Sequence, residues 1–338
     1  MTTKKIGAQT AALANPPSFA GWANVAGKKE GEGPLADTFD YIDGDDTFGE
    51  STWEKSESAM QKQALGLALN KAGQAASALD WLFAGDLLNQ CIGSSFAARE
   101  QQIPFFGLYG ACSTMGEGLA LASMTLDGGF GEWAAVTASS HFCSAERQYR
   151  TPLEYGGQRT PTAQWTATAA GAAVLAREGP GPYITHVTVG KIVDKGITDT
   201  NNMGAAMAPA AHATITAHFN DTGRSPSSYD LIVTGDLGLL GSELLLELLK
   251  KDGIQINNHA DCGAMIFDIK NQDVHCGGSG CGCCASVLTG HILNNMKAGK
   301  WKNVLFCPTG ALHSPTSAFQ GESIPGICHA IAISTAKS

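Results

Sequence analysis

Cys112 is the residue of this sequence whose type and setting most readily suggest covalent chemistry. It follows a short apolar run, residues 105–108, that predicts a strand, and it precedes a run of small residues that predicts a helix. The free amides and the dipole of such a helix start would stabilise a thiolate, the nucleophilic form of cysteine. The alternative is simple packing, because cysteine is small and is often buried where two helices approach closely.

A thiolate that attacks an acyl group needs a base, usually histidine, and donors that hold the developing oxyanion. The internal repeat described below indicates where these partners would stand. Those places hold the turn Gly235-Asp236 and Cys281, with no histidine or asparagine. The remaining candidates for a base are His141, His259 and His313. A lone histidine is more often a structural residue, so this set stays open.

Four cysteines close together raise the question of a metal site. They are Cys276, Cys281, Cys283 and Cys284. Their spacing fits neither the paired C-x-x-C of zinc sites nor the common ferredoxin runs. We therefore expect no metal and interpret them as small residues that let two helix starts meet.

The segment 141–161 concentrates Arg147, Arg150 and Arg159 in an acidic chain. Guanidinium groups bind carboxylates in a bidentate manner, so this segment could hold a small dianion. A surface or dimer-facing loop with solvated arginines is the alternative.

Two similar halves position these residues. The string DWLFAGDL at 80–87 is echoed by DLIVTGDL at 230–237, an offset of 150 residues (230 minus 80), and each copy is followed by a glycine-rich turn, a helix, a strand and a histidine. Alternating strands and helices predict parallel sheets covered by helices on both sides. The loops after Gly85, Gly110, Gly235 and Gly280 should then share one pocket, because open α/β sheets bind ligands at their strand ends.

The domain boundaries follow from this repeat. Residues 1–50 are rich in Gly and Pro and predict an extended N-terminal arm, 51–180 the first half and 181–338 the second. Hydrophobic residues make up 43% of the chain and charged residues 16%, which suits a large core. The net charge of -9 argues against nucleic acid as a partner. No apolar run of about 18 residues and no signal peptide are apparent, and we expect reduced cysteines.

Longer strings resemble one known family. The segments FGLYGACST, ASSHFCSAERQYRTPLEYGGQRTP, TGDLGLLGS, GGSGCGC and TGALHSPT occur in the order found in the stage V sporulation protein AD family of spore-forming Firmicutes. The resemblance runs from about Gly31 to near the C-terminus. It implies an α/β thiolase-like fold, in which two duplicated halves form a layered αβαβα arrangement about a pseudo-twofold axis. It also implies that Cys112 occupies the nucleophile position, Gly235-Asp236 the place of the catalytic histidine, and Cys281 that of the catalytic asparagine.

The resemblance implies a binding protein rather than an enzyme. Its ligand would be dipicolinic acid or its calcium complex. The protein would be the soluble component of the spore's dipicolinate transport channel, during sporulation and germination. The residues expected near the ligand are Cys112, Ser113, His141, Arg147, Arg150, Asp236, His259 and Cys281. Partners would be the other stage V sporulation protein A channel subunits and a second copy of the chain, in the forespore or spore, either cytosolic or peripheral on the inner membrane. No cofactor is expected, with calcium only as part of the ligand. The alternatives are an acyltransferase with altered partners and a purely structural channel subunit.

Overall fold

Two α/β units of the same construction follow one another along the chain. The structure is a computed structural model that describes residues 4–149 and 159–337. The sheet strands of the first unit are β1 Ser18–Ala26, β2 Trp81–Gly85, β3 Phe105–Leu108, β4 Trp133–Ser140 and β5 Ala169–Ala176. Those of the second unit are β6 Tyr183–Thr188, β7 Leu231–Thr234, β8 His259–Asp261, β9 Asn303–Cys307 and β10 Ala330–Ser334.

Seven helices accompany these strands. They are α1 Trp53–Ala72, α2 Ile92–Arg99, α3 Thr114–Asp127, α4 Phe142–Tyr149, α5 Met203–Thr222, α6 Gly238–Lys251 and α7 Cys281–Val287. Shorter helical segments are Lys28–Gly31, Ala36–Thr38, Ala76–Ala78, Asn89–Cys91, Pro226–Ser228, Cys262–Ile266, Leu288–Ile292, Leu293–Lys297 and Pro315–Phe319. Short strands are Lys5–Ile6, Thr10–Ala12, Tyr41–Ile42, Trp165–Thr166, Gly278–Ser279, Thr309–Ala311 and Gly326–Cys328. No helix in the described ranges is long and apolar enough to cross a membrane.

Across the sheet the strand order is β8-β7-β9-β10-β6 in the second unit, followed by β1-β5-β4-β2-β3 in the first. Counted outward from the junction of β6 and β1, the strands of both units follow the same order: first, fifth, fourth, second and third in sequence. The two units join where Tyr183 pairs with Ser18. In the first unit β2 pairs in parallel with β3 and β4, whereas β5 runs antiparallel to β4 and β1. The prediction of parallel sheets was therefore wrong for part of each unit. Every residue of β5 is buried, so its sequence is a continuous apolar run that resembles a parallel strand.

Helices lie in three layers around the strands of the two units. α1 covers β1 and β5 from outside, and α5 and α6 cover the second unit. Between the units, α3 contacts β4 and β10, while α7 contacts β5 and β4. Small residues make this close packing feasible, since a Cβ on Gly171 would lie 2.3 Å from the carbonyl oxygen of Ala285. The result is the layered αβαβα arrangement that was predicted.

The predicted N-terminal arm needs a correction. Residues Ser18–Ala26 form β1, an interior strand that pairs with β5 along its whole length, so the first unit begins well before residue 51. The segment before it is also held in place, because Thr10–Ala12 pairs with β6. Of the Gly and Pro residues that suggested an arm, Gly21 lies inside β1, while Pro16, Pro17 and Gly27 flank it.

Candidate functional site

A cavity of about 130 Å³ lies where the strand ends of the two units meet. Leu87 after β2, Cys112 before α3 and Ser279 in the glycine-rich turn line it together. The loops are in direct contact, since a Cβ on Gly310 would lie 2.3 Å from the carbonyl oxygen of Gly110. Of the four loops predicted to share a pocket, those after Gly85 and Gly110 contribute to the wall. Beside Gly280 only the preceding Ser279 does, and the loop after Gly235 lies behind the wall.

Cys112 is held in the wall by a strained turn. Ala111 has a φ of 48°, a left-handed conformation that costs a non-glycine residue about 1–3 kcal/mol. The hydroxyl of Thr114 compensates by donating to the carbonyl of Ala111 at 2.6 Å. The Cys112 Sγ then lies 3.7 Å from the Oγ of Ser279, on the other unit.

The Cys112 thiol is not activated. Burial and the nearby charge of Asp236 raise its pKa well above the ordinary value. The helix α3 begins only at Thr114, so Cys112 precedes its first turn by two residues. Of the two interpretations of Cys112, an activated thiolate and a packed thiol, these observations favour the packed thiol.

Asp236 lies behind Cys112 in a fully buried network. Its carboxylate accepts hydrogen bonds from Thr309 Oγ1 at 2.7 Å, Ser279 Oγ at 3.1 Å and the Gly280 amide at 3.3 Å. Burial raises the pKa of Asp236 to about 7, although the hydrogen bonds from Cys112 and Thr309 oppose this. The residue lies behind the inner end of the cavity and is not part of its lining.

Two residues predicted near the ligand point elsewhere. The Ser113 hydroxyl donates to the carbonyl of Gly110 at 2.7 Å and is fully buried. Cys281 donates its thiol to the carbonyl of Ser139 at 2.8 Å, and burial raises its pKa well above the ordinary value. Both support the wall from behind without lining the cavity.

The two histidines of the predicted set also lie outside the cavity wall. His141 Nε2 donates to the carbonyl of Asp46 at 2.9 Å, and its ring packs against Trp53. His259 is on the edge strand β8, with Nε2 3.0 Å from Thr234 Oγ1. Burial lowers the pKa of both histidines, so both are neutral structural side chains.

The arginine segment is only partly described. Arg147 lies on α4, pairs with Glu54 and borders an open groove rather than the cavity. Arg150, also predicted to contact the ligand, lies outside the described residues. Arg159 stacks over Trp165, with 4.7 Å from the guanidinium carbon to the ring centre, and pairs with Asp273.

The cavity wall contains one candidate base named from the sequence and three residues that sequence reasoning missed. His313, an alternative base, does line the cavity, as do Tyr109, Tyr149 and Gln164. Tyr109 immediately precedes Gly110 and could have been inferred from that loop. Gln164 carries no sequence signal, because its amide donates to the carbonyls of Asp236 and Gly278, both distant in the chain.

The cysteine run belongs to the core. All ten cysteines are free thiols, and Cys281, Cys283 and Cys284 are fully buried. No group of three or more His, Cys, Asp or Glu side chains within the described ranges is arranged to hold a metal ion.

Comparison with known proteins places the chain. The family model for stage V sporulation protein AD matches residues 7–334. The stage V sporulation protein AD of Bacillus subtilis (strain 168) is 43% identical over 329 residues, which cover 97% of each chain. The chain belongs to the stage V sporulation protein AD family. Its members are sporulation proteins by name, which agrees with the family predicted from the sequence.

Solved structures show the same fold at low identity. The 3-oxoacyl-[acyl-carrier-protein] synthase III from Aquifex aeolicus VF5 superposes with a TM-score of 0.58 at 13% identity, over 94% of this chain and 99% of that one. OleA from Xanthomonas campestris superposes with a TM-score of 0.61 at 15% identity, over 96% and 99%. The thiolase-like fold predicted for the stage V sporulation protein AD family is thereby confirmed.

Proposed function

We propose that this chain binds dipicolinic acid, pyridine-2,6-dicarboxylate, free or as its calcium complex, and does not turn it over. The observation that carries the proposal is the cavity of about 130 Å³ between the two units, beside the unactivated thiol of Cys112. An engineered cavity of about 150 Å³ accommodates benzene, so this space suits a ligand with a single aromatic ring. A long acyl chain would need more room.

The absence of an activated nucleophile supports binding rather than catalysis. Cys112 keeps the position of an acyl-enzyme nucleophile, but burial and Asp236 favour its neutral form. Turnover depends on interactions made only in the transition state, whereas binding needs only shape and polar contacts. A site without an activated nucleophile therefore still binds a flat ligand.

The cellular role follows from the family. We propose that the chain works in the forespore and spore, peripheral to the inner membrane, with the other stage V sporulation protein A channel subunits. Membership of a sporulation family supports this role. Calcium enters the site only as part of the ligand. The other proposed partner is a second copy of the chain, in a homodimer.

Isothermal titration calorimetry tests the ligand. We expect saturable heat when dipicolinate is added with calcium or with a chelator. Cys112→Trp should abolish this heat by filling the cavity, and Cys112→Ser should keep the affinity within about threefold, because the thiol has a packing role. If the native protein gave no saturable heat in either condition, the binding role would be lost.

One observation favours an acyltransferase as a second candidate. His313 lines the same cavity as Cys112, and its ring centre lies 5.6 Å from that of Tyr149. Incubation with short acyl-thioesters followed by intact mass measurement separates the two functions. A stable acyl adduct on Cys112 that is absent in Cys112→Ser would favour the enzyme.

A further inference from the structure

The mouth of the cavity is bounded by side chains that are hydrogen-bonded to one another. The inner wall is buried: Cys112 and Gln164 expose 8% and 7% of their surface, and Met207 none. Tyr109 exposes 43% of its surface, and Tyr149 at the end of α4 is half-buried. Other half-buried wall residues include Glu146, Thr166, Thr200, Asn201, Met203 and His313. The last turn of α4 therefore forms one side of the cavity mouth.

That last turn is fastened to the loop after β2. The Tyr149 hydroxyl donates to the carbonyl of Leu87 at 2.5 Å, and the Gln148 amide donates to the same oxygen at 2.9 Å. The backbone N–H of Asn89 donates a hydrogen bond to Gln148 Oε1 at 2.8 Å. Because the Tyr149 hydrogen is used on Leu87, the Tyr109 hydroxyl must be the donor in its 2.8 Å contact with Tyr149.

The other end of α4 is anchored more deeply. Ser144 donates to the buried carboxyl of Glu57 at 2.7 Å, and Ala145 is almost fully buried. The loop, in contrast, contains two non-glycine residues in the left-handed region, Gln90 with φ 60° and Cys91 with φ 52°. Such conformations are strained and persist only where neighbouring contacts hold them.

We propose that Tyr149 and Gln148 form a latch on the carbonyl of Leu87, and that the ligand enters and leaves when this latch opens. The inference rests on the proposed function for the identity of the ligand, although the latch itself does not depend on it. α4 pivots at Ser144, its last turn moves away from the loop, and the cavity wall at Cys112 becomes accessible. Tyr149 is thus a positioning residue that controls passage and makes no polar contact with the ligand.

Ligand kinetics test the latch directly. Tyr149→Phe keeps the ring and removes two hydrogen bonds, those to Leu87 and Tyr109. With dipicolinate as the probe in stopped flow, we expect both the association and dissociation rate constants to rise on the order of tenfold, with the equilibrium constant within about threefold. Gln148→Met should act in the same direction. Gln102→Met, at an exposed position outside the cavity wall, is the matched control and should change neither rate constant.

Thiol accessibility tests the latch without any ligand. Cys112 lies inside the cavity, so its alkylation by iodoacetamide, followed by peptide mass spectrometry, reports how often the mouth opens. We expect Tyr149→Phe to raise the Cys112 alkylation rate on the order of tenfold while urea unfolding shows an intact fold. The alkylation measurement remains informative even if dipicolinate does not bind.

Two results would overturn the latch. A Tyr149→Phe protein with normal unfolding and unchanged Cys112 alkylation would place the entrance elsewhere. A loss of affinity through the dissociation rate alone would make the Tyr149 hydroxyl a ligand contact instead of a latch. Failure of the native protein to bind dipicolinate, with faster alkylation of the variant, would reject the proposed function and leave the latch standing.

Discussion

At the scale of single residues, burial changes the pKa of acidic side chains that look ordinary in the sequence. Glu57 is fully buried on α1 and accepts hydrogen bonds from Ser139 at 3.2 Å and Ser144 at 2.7 Å. Burial, and next the charge of Asp86, raise the pKa of Glu57 to about 8. The carboxyl group is therefore protonated in the folded protein at neutral pH.

This burial predicts a pH dependence of stability. Above the ordinary glutamate pKa of about 4.3 the unfolded chain ionises while folded Glu57 keeps its proton, so stability falls as pH rises toward the folded pKa. We expect the free energy of unfolding of the native protein to fall relative to that of Glu57→Gln, by on the order of 2 kcal/mol between pH 5 and pH 7. Urea unfolding at both pH values measures it. Exposed Glu247→Gln is the control, and a constant difference between Glu57→Gln and native protein would contradict the prediction.

At the scale of elements, one side chain ties the N-terminal segment to a helix of the other unit. Asp221, in the last turn of α5, accepts hydrogen bonds from the backbone amides of Ala8, Gln9 and Thr10 at 2.8–2.9 Å. Partial burial opposes ionisation, but these hydrogen bonds outweigh it and lower the pKa of Asp221. The segment that precedes β1 is thus attached to the second unit.

Asp221→Asn should therefore destabilise the protein. We expect a loss of about 1–3 kcal/mol at pH 7, because charge-assisted hydrogen bonds become neutral or are lost. Since the folded pKa is lowered, the loss is full above about pH 4 and shrinks as pH falls through the folded value. Urea unfolding reports it, with Asp252→Asn, a half-exposed carboxylate paired only with His212, as the control. Equal effects of the two variants would count against the tie.

At the scale of the whole molecule, the sheet ends in an unpaired edge. Within the described residues β3 pairs only with β2. The carbonyl of Pro104 accepts a hydrogen bond from the backbone amide of Leu82, so the backbone groups of Phe105 and Gly107 point away from β2. Phe106 is 49% exposed and stacks on Phe83. An exposed apolar edge of this kind favours pairing with another strand.

We expect this edge to join two copies of the chain in antiparallel fashion, in keeping with the proposed homodimer. Phe106→Asp should shift the protein from dimer to monomer, because it places a charge beside the paired edge. Sedimentation velocity measures the state, and circular dichroism checks the fold. Phe319→Asp, at an 81% exposed phenylalanine on the second unit, should leave the dimer intact. A monomeric native protein would exclude this interface.

Much of the architecture could be predicted because strands, helices and turns follow from short sequence patterns. The repeated GDL strings identified β2 and β7 and their following turns, and the residues around Cys112 identified the loop that borders the cavity. β1 was missed because Gly and Pro in its neighbourhood resemble an irregular arm. The direction of β5 was missed because a strand buried on both faces has no alternation of polar and apolar residues.

The sequence by itself determined the duplication, the family and the position of a cysteine at the meeting point of the two units. Only the tertiary structure decided that His313 rather than His141 or His259 reaches the cavity, and that Tyr149 fastens its mouth. It also decided that burial and the nearby Asp236 raise the pKa of Cys112. The physical reason is that a pKa and a cavity wall depend on burial and on partners far away in the chain, whereas strands, helices and turns depend mainly on neighbours.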